Sequence, residues 1–175
     1  MILRAILAPF CIIHSTNSMS ETPTTTDFIL ELDARPDLLR VVRAALAAWC
    51  ERVGVETAQT DQICLAVDEA STNIIRHAYA GECGHIRLIC SQQTRPSGRS
   101  VLITLEDDGK QVPLETIRPR ELDNVKPGGL GVHLIQQVMD EAVWCHKPDG
   151  GTSLTMRVDI DQARSGVQQE NITHA

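Results

Sequence analysis

The sequence is poor in aromatic side chains, which make up 3% of its 175 residues. Aliphatic side chains must therefore fill the interior, and the hydrophobic fraction of 42% is typical of a soluble globular protein. No stretch reaches the roughly 20 apolar residues that a membrane-spanning helix needs. Positive charge is also scarce, since the formal net charge is −7. This balance argues against general binding to nucleic acid or to anionic membranes, because both need a basic face.

Cysteine pairs with metal-ligand spacing are absent as well. The chain has six cysteines, but no CxxC pair and no Cys/His combination typical of zinc sites. Isolated cysteines in aliphatic surroundings usually act as small buried hydrophobic residues in a reducing cytosol. The sequence therefore predicts a cytoplasmic protein without structural zinc or a disulfide framework. The six residues are Cys11, Cys50, Cys64, Cys83, Cys90 and Cys145.

The chain divides into one domain with two flanking segments. Residues 1–26 are predicted to be an N-terminal extension. Its apolar run could pass for a short signal peptide, but a proline and a histidine interrupt it. Met19 precedes a polar run and looks like a natural chain start, so residues 1–18 are interpreted as a mis-called start or a disordered tail. Residues 27–160 are predicted to form the folded domain, and 161–175 a polar C-terminal tail.

Hydrophobic periodicity predicts an α+β fold. Alternating residues indicate strands, and apolar residues recurring every three or four positions indicate helices. Grouped strands with helices on one side favour a two-layer α/β sandwich with a mainly antiparallel sheet. A long loop is expected at 109–131, and loops of this length are usually lids or binding loops. The predicted strands are 28–34, 85–90, 100–107 and 151–160. The first predicted helix runs from Pro36 to Gly54, the second from Thr57 or Thr60 to Gly81, and the third from Val132 to Ala142.

A polar pair on the second predicted helix is the first candidate site. Glu69 and Asn73 stand four residues apart, so they lie on one helix face at the rim of the apolar stripe. An amide oxygen is a suitable ligand for Mg²⁺, and a carboxylate one turn away can take a proton. Taken alone, this pair is explained more simply by an exposed Glu and a helix-interior Asn with local hydrogen bonds.

Three further motifs follow along the chain. Asp107 ends a strand and Gly109 follows it, which suits a carboxylate that accepts from a ligand's amine, although an ordinary turn fits too. Glycines then open directly into a helix, where free N–H groups and the helix dipole favour phosphate. Thr152 enters the last strand after a turn and could bond to a ligand. The glycines are Gly128, Gly129 and Gly131.

In this order, the four motifs resemble those of the GHKL superfamily, which has the Bergerat ATP-binding fold. The stretch DEASTNIIRHAY (68–79) and the stretch GGLGVHLIQQVMDEA (128–142) are similar to the bacterial anti-sigma-factor serine/threonine kinases. The resemblance covers roughly residues 27–160. It implies the Bergerat two-layer fold and the use of ATP with Mg²⁺.

The resemblance also implies a role for each motif residue. Asn73 would bind Mg²⁺ at the ATP phosphates, and Glu69 would be the general base that activates the attacking hydroxyl. Asp107 would accept from the adenine amine, with Gly109 allowing close approach. The three glycines of the loop would cradle phosphates, and Thr152 would support the adenine site.

Two positions depart from the wider pattern. Gln111 stands where many superfamily members have a second glycine. Pro127 stands near the place where some related kinases carry a lid arginine, so that Lys126 is the nearest cation to the phosphates.

The expected function is therefore that of an anti-sigma-factor kinase. By resemblance it would form a homodimer, hold a sigma factor inactive and phosphorylate a small antagonist protein. A nucleotide-gated binding protein without kinase turnover is the alternative, because the same residues would bind ATP in both. A histidine-kinase fragment or a gyrase-like ATPase would need helices or a transducer domain that the sequence does not show. His77 is interpreted as structural, and Arg76 as a residue that could face a partner.

Overall fold

The computed structural model of the protein describes residues 24–111, 113–114 and 130–160. Five strands form one antiparallel sheet in the order β1-β2-β3-β5-β4. The strands are β1 (Thr25–Asp33), β2 (His85–Arg95), β3 (Gly98–Asp107), β4 (Glu141–His146) and β5 (Thr152–Asp159). The expected N-terminal extension, C-terminal tail and most of the long loop lie outside the described residues.

Three helices cover one face of this sheet. They are α1 (Leu39–Val53), which follows a short 3-10 turn at Pro36–Leu38, α2 (Thr57–Asn73) and α3 (Leu130–Val138). Helix α2 contacts both α1 and α3. Helix α1 ends at Gly54, which adopts the left-handed conformation, with φ of 83°, that glycine tolerates best. The two-layer α+β prediction is confirmed.

The core lies between the helices and the inner face of the sheet. Alternate residues of β2 and β3 are buried, as the twofold period of a strand requires. Aliphatic side chains dominate this core, as the shortage of aromatic residues predicted. Its fully buried residues include Val42, Leu46, Ile63, Ala66, Ile86, Leu88, Cys90, Val101, Ile103 and Met156.

Strand register carries Asp107 to the end of the sheet where the candidate motifs meet. Strands β2 and β3 form a hairpin in which Ile86 lies opposite Asp107. On the other side of β3, Glu106 lies opposite Ser153 of β5. The hairpin turn is shorter than expected, because the strands continue to Arg95 and resume at Gly98.

The expected helix over 132–142 is wrong at its last four residues. Helix α3 spans Leu130–Val138, and Glu141–His146 form strand β4, which pairs with β5. The chain leaves the helix at Asp140, whose backbone N–H donates to the carbonyl of Arg157 on β5 at 3.0 Å. A short apolar run fits either period, so sequence periodicity alone does not separate the two elements.

The second helix also differs from its expectation near its end. Its α-helical part stops at Asn73, and Ile74–Ala78 form a wider π-helical turn. Tyr79 donates its backbone N–H to the carbonyl of Ile74 at 3.2 Å. Such single π turns interrupt α-helices rarely and occur frequently at functional sites.

Three of the cysteines behave as the sequence predicted. Cys50, Cys64 and Cys90 are buried as free thiols, and burial raises the pKa of Cys50 to about 12. Cys83 is exposed, and Cys145 is half-buried. Among the helices within the described ranges, none is both long and apolar enough to cross a membrane.

Candidate active site

The polar pair on α2 lies against the start of α3. Glu69 and Asn73 are both half-buried, one turn apart on the same helix. Gly131 packs directly on this pair. A Cβ placed on Gly131 would lie 2.8 Å from Oε2 of Glu69 and 3.3 Å from Nδ2 of Asn73. The structure therefore brings together three of the predicted site residues, from two helices, and the absence of a side chain at 131 permits their approach.

The π turn after Asn73 carries the chain to the second motif. A Cβ on Gly109 would lie 2.6 Å from the Cβ of Ala78, so only glycine fits at this contact without a shift. The backbone N–H of Lys110 also donates to the carbonyl of Ala78 at 2.9 Å. These contacts join the end of the α2 segment to the loop that follows β3.

Asp107 is a buried carboxylate rather than a surface turn residue. It is 3% exposed, and the backbone N–H of Gly109 donates to its Oδ1 at 2.8 Å. Burial raises the pKa of Asp107 above its ordinary value, although N–H donors from Gly109 and Thr152 and the charge of Lys147 act in the opposite direction. The backbone donors and the nearby cation hold this buried carboxyl group in one orientation, so it can accept a hydrogen bond from a ligand N–H in a defined direction.

The turn before β5 packs against the same carboxylate. Gly151 has φ of +75°, and a Cβ on it would lie 1.9 Å from the carbonyl oxygen of Asp107. Thr152 begins β5, and its backbone N–H contacts the Asp107 carboxylate. The structure thus joins Thr152 to the Asp107 motif, through its backbone.

The remaining predicted phosphate contacts lie outside the described residues. They are Lys126, Gly128 and Gly129. His77 and Arg76 are both exposed on the π turn.

Sequence reasoning missed three residues that hold the Asp107 loop. The hydroxyl of Tyr79 accepts the N–H of Asp108 at 2.9 Å. Lys147 Nζ donates to the Asp107 carbonyl at 3.0 Å. The side-chain amide of Gln111 donates to the carbonyls of Lys147 at 2.9 Å and Gly151 at 3.1 Å. Tyr79 is the chain's single tyrosine, which is a weak signal, and no sequence pattern singles out Lys147.

The donor set fits a magnesium ion bound together with a nucleotide rather than by the protein alone. Within residues 24–111, 113–114 and 130–160, no group of three or more His, Cys, Asp or Glu side chains could hold a metal ion. Magnesium is usually held by one or two protein oxygens together with substrate phosphates and water. The side-chain amide oxygen of Asn73 could supply one such protein ligand.

Comparison with known proteins agrees with this geometry. The family model for the histidine kinase-like ATPase domain matches residues 32–158. A serine-protein kinase RsbW from Bacillus pumilus is 28% identical over 125 residues, which cover 67% of this chain and 77% of the relative. A serine-protein kinase RsbW from Staphylococcus epidermidis is 28% identical over 162 residues, covering 86% of this chain and 99% of the relative.

Two solved structures share the fold. The RsbU and RsbW domains of Rv1364c from Mycobacterium tuberculosis superpose with a TM-score of 0.52 at 22% identity, over 79% of this chain and 33% of that chain. A chain of the SiaB–SiaC complex from Pseudomonas aeruginosa gives a TM-score of 0.55 at 13% identity, over 76% of this chain and 89% of that chain. Together with the family match, they confirm the resemblance that the motifs indicated. The chain belongs to the histidine kinase-like ATPase family, within the GHKL superfamily.

Proposed function

We propose that the protein is an ATP-dependent serine/threonine kinase that acts as an anti-sigma factor in the cytoplasm. It holds a sigma factor inactive and phosphorylates a small antagonist protein. The contact of Gly131 with both Glu69 and Asn73 carries this proposal, because it brings the glycine motif to the carboxylate and amide that phosphoryl transfer requires. The names of the relatives, serine-protein kinases, support the same reaction class.

In the proposed reaction each site residue has one role. Asn73 would hold a Mg²⁺ ion, which would neutralise charge on the ATP phosphates. Glu69 takes the proton from a serine or threonine hydroxyl of the antagonist as that oxygen forms a bond to the terminal phosphorus. The bond to the bridging oxygen breaks, and ADP leaves with the bonding electrons. Gly131 keeps the base and the magnesium ligand at the nucleotide, while Lys126, Gly128 and Gly129 complete the phosphate contacts.

Adenine recognition belongs to the other end of the site. Asp107 accepts a hydrogen bond from the adenine amine, since its carboxylate is buried and fixed by backbone donors. Gly109 lets the loop after Asp107 pack closely on Ala78, because a Cβ at this position would lie 2.6 Å from the Cβ of Ala78. Thr152 supports the position of Asp107 through its backbone N–H.

The partners in this proposal follow from the resemblance to anti-sigma-factor kinases. A homodimer is included, and β1 is compatible with it, because among the strands that the structure describes β1 lies at the edge of the sheet and pairs with β2 alone.

The test is phosphate transfer from γ-labelled Mg-ATP to a small antagonist protein that binds this chain. Wild type is expected to label the antagonist, and Glu69→Gln to lower the rate at least about 100-fold by removal of the general base. Asp61→Asn is the matched control, because Asp61 is an exposed carboxylate on the same helix. Equal rates for wild type and Glu69→Gln would contradict the role of Glu69. ATP binding and partner binding without any labelling would support a nucleotide-gated binding protein instead.

A further inference from the structure

We propose that Lys147 and Tyr79 are positioning residues for nucleobase selection, because together they hold the peptide group between Asp107 and Asp108 at its two polar ends. Their effect is to fix the direction in which the Asp107 carboxylate meets the purine ring. This inference rests on the proposed function, since it concerns the base that Asp107 recognises.

The two contacts act on a single rigid unit. Lys147 Nζ donates to the carbonyl oxygen of Asp107 at 3.0 Å, and the hydroxyl of Tyr79 accepts the N–H of Asp108 at 2.9 Å. That carbonyl and that N–H belong to one planar peptide group. Lys147 also donates to Oδ1 of Asp108 at 2.6 Å. Rotation of this peptide group would therefore break a hydrogen bond at each end.

The Tyr79 side is itself held firmly. Its hydroxyl donates to the carbonyl of His85 at 2.6 Å and accepts the N–H of His85 at 3.1 Å. With the bond from Asp108, one donor and two acceptor positions of the hydroxyl are occupied. The ring is 8% exposed and lies flush on Gly84, where a Cβ would come within 2.1 Å of it. Tyr79 thus ties the end of the π turn to the neighbouring ends of β2 and β3.

The Lys147 side is built into the turn between β4 and β5. The backbone N–H of Lys147 donates to the carbonyl of Gly151 at 3.1 Å, and Gln111 donates to the carbonyl of Lys147 at 2.9 Å. The Lys147 side chain is 25% exposed, so it is not a freely moving surface cation. Gln111 occupies the position where many superfamily members have glycine, and here it braces this turn.

The held peptide group controls the Asp107 carboxylate in two ways. It fixes the backbone on the carboxyl side of Asp107, next to the Asp108–Gly109 peptide group whose N–H is bonded to the carboxylate. Lys147 also places a positive charge near a buried carboxyl group whose close charged neighbours are Lys147 and Asp108. Removing either residue should therefore loosen the direction of the acceptor without touching the phosphate end of the site.

The measurement compares binding of ATP with binding of inosine triphosphate. The two nucleotides have the same phosphates, but position 6 of the purine is an amine donor in ATP and a carbonyl acceptor in inosine triphosphate. Wild type is expected to prefer ATP. Lys147→Met and Tyr79→Phe are each expected to lower the ratio of the two affinities about tenfold, as for one weakened charged hydrogen bond. Lys147→Arg should recover part of the preference, because it restores a cationic donor.

Lys110→Met is the matched control. Lys110 has the same charge, is exposed and lies three residues after Asp107, so its loss should leave the ratio unchanged. If circular dichroism shows that Lys147→Met does not fold, the same ratio of affinities is measured on Lys147→Gln and Tyr79→Phe. Equal weakening of both nucleotides, with an unchanged ratio, would overturn the positioning role. Wild type that binds neither nucleotide would instead contradict the proposed function, and this inference with it.

Discussion

At the residue scale, the glycines of the turn before β5 show how backbone contacts shape the site. Gly150 and Gly151 are adjacent and both have positive φ, of +104° and +75°. They differ in their surroundings. Among the residues that the structure describes, none beyond its chain neighbours comes within 4 Å of a Cβ placed on Gly150, whereas a Cβ on Gly151 would lie 1.9 Å from the carbonyl oxygen of Asp107. Substitution of Gly150 therefore measures the cost of backbone strain alone, whereas substitution of Gly151 adds the cost of the close contact with Asp107.

Gly151→Ala is expected to destabilise the protein by at least about 3 kcal/mol, because the new methyl group must push the Asp107 strand end away. Gly150→Ala should cost about 1–2 kcal/mol, the strain of positive φ alone. Urea unfolding of both variants measures the difference. Equal losses would show that Gly151 does not pack on Asp107 as described.

At the element scale, Asp27 joins three parts of the fold at the edge of the sheet. It lies on β1 and accepts from Trp49 Nε1 of α1 and from Gln92 Nε2 of β2, each at 2.9 Å. Arg52 lies 3.0 Å from the same carboxylate oxygen. Partial burial raises the pKa of Asp27, but these hydrogen bonds and the Arg52 charge outweigh it, so the pKa is lowered overall from 3.8. The ionised carboxylate therefore stabilises the folded state.

Asp27→Asn is expected to lower the free energy of unfolding by about 1 kcal/mol near neutral pH, a modest value because the site is partly exposed. The sign of the pH dependence follows from the lowered pKa. The stabilisation is complete above the unfolded pKa and is lost as pH falls below 3.8 through the folded value. The difference between wild type and variant should accordingly shrink in acid.

Asp33→Asn is the control for this measurement. Asp33 lies at the other end of β1, and its contact with His85 is exposed on both sides. Its substitution should change stability little. A gap between wild type and Asp27→Asn that widens below pH 4 would contradict the charge-based role of Asp27.

The elements also show what periodicity can and cannot predict. The α1 and α2 helices and the β2–β3 hairpin have long patterns with distinct periods, and each was predicted. The β4 strand was missed because EAVWCH is short and follows an apolar helix directly. Its identity as a strand depends on pairing with β5, a contact that local sequence does not encode.

At the scale of the whole molecule, the order of the motifs predicted both the fold class and the family. Four motifs in a shared order are far more specific than any one motif alone. Residues whose role depends on local chemistry, such as Asp107 before Gly109, could be chosen from the sequence. Lys147 could not, since it reaches Asp107 only after the turn between β4 and β5 folds back over the end of β3. Tertiary contacts of this kind leave no periodic signal.

The proposed function depends on a single adenine nucleotide site that has a phosphate-binding end and an adenine-binding end. Glu69, Asn73 and Gly131 form one end, and Asp107 with its backbone donors forms the other. Burial raises the pKa of Asp107, so ionisation of this carboxyl group opposes folding as pH rises above its ordinary pKa. Its value in the proposal is therefore for binding.

The most direct test is calorimetric titration of Mg-ATP into wild type and Asp107→Asn near pH 7. Wild type is expected to bind one nucleotide per chain. Asp107→Asn should bind at least about 30-fold more weakly, because a neutral amide is a poorer acceptor and turns an N–H group toward one of the two backbone donors. Its circular dichroism spectrum should match that of wild type. Equal affinity of the two proteins, or no binding by folded wild type, would contradict the adenine site at Asp107.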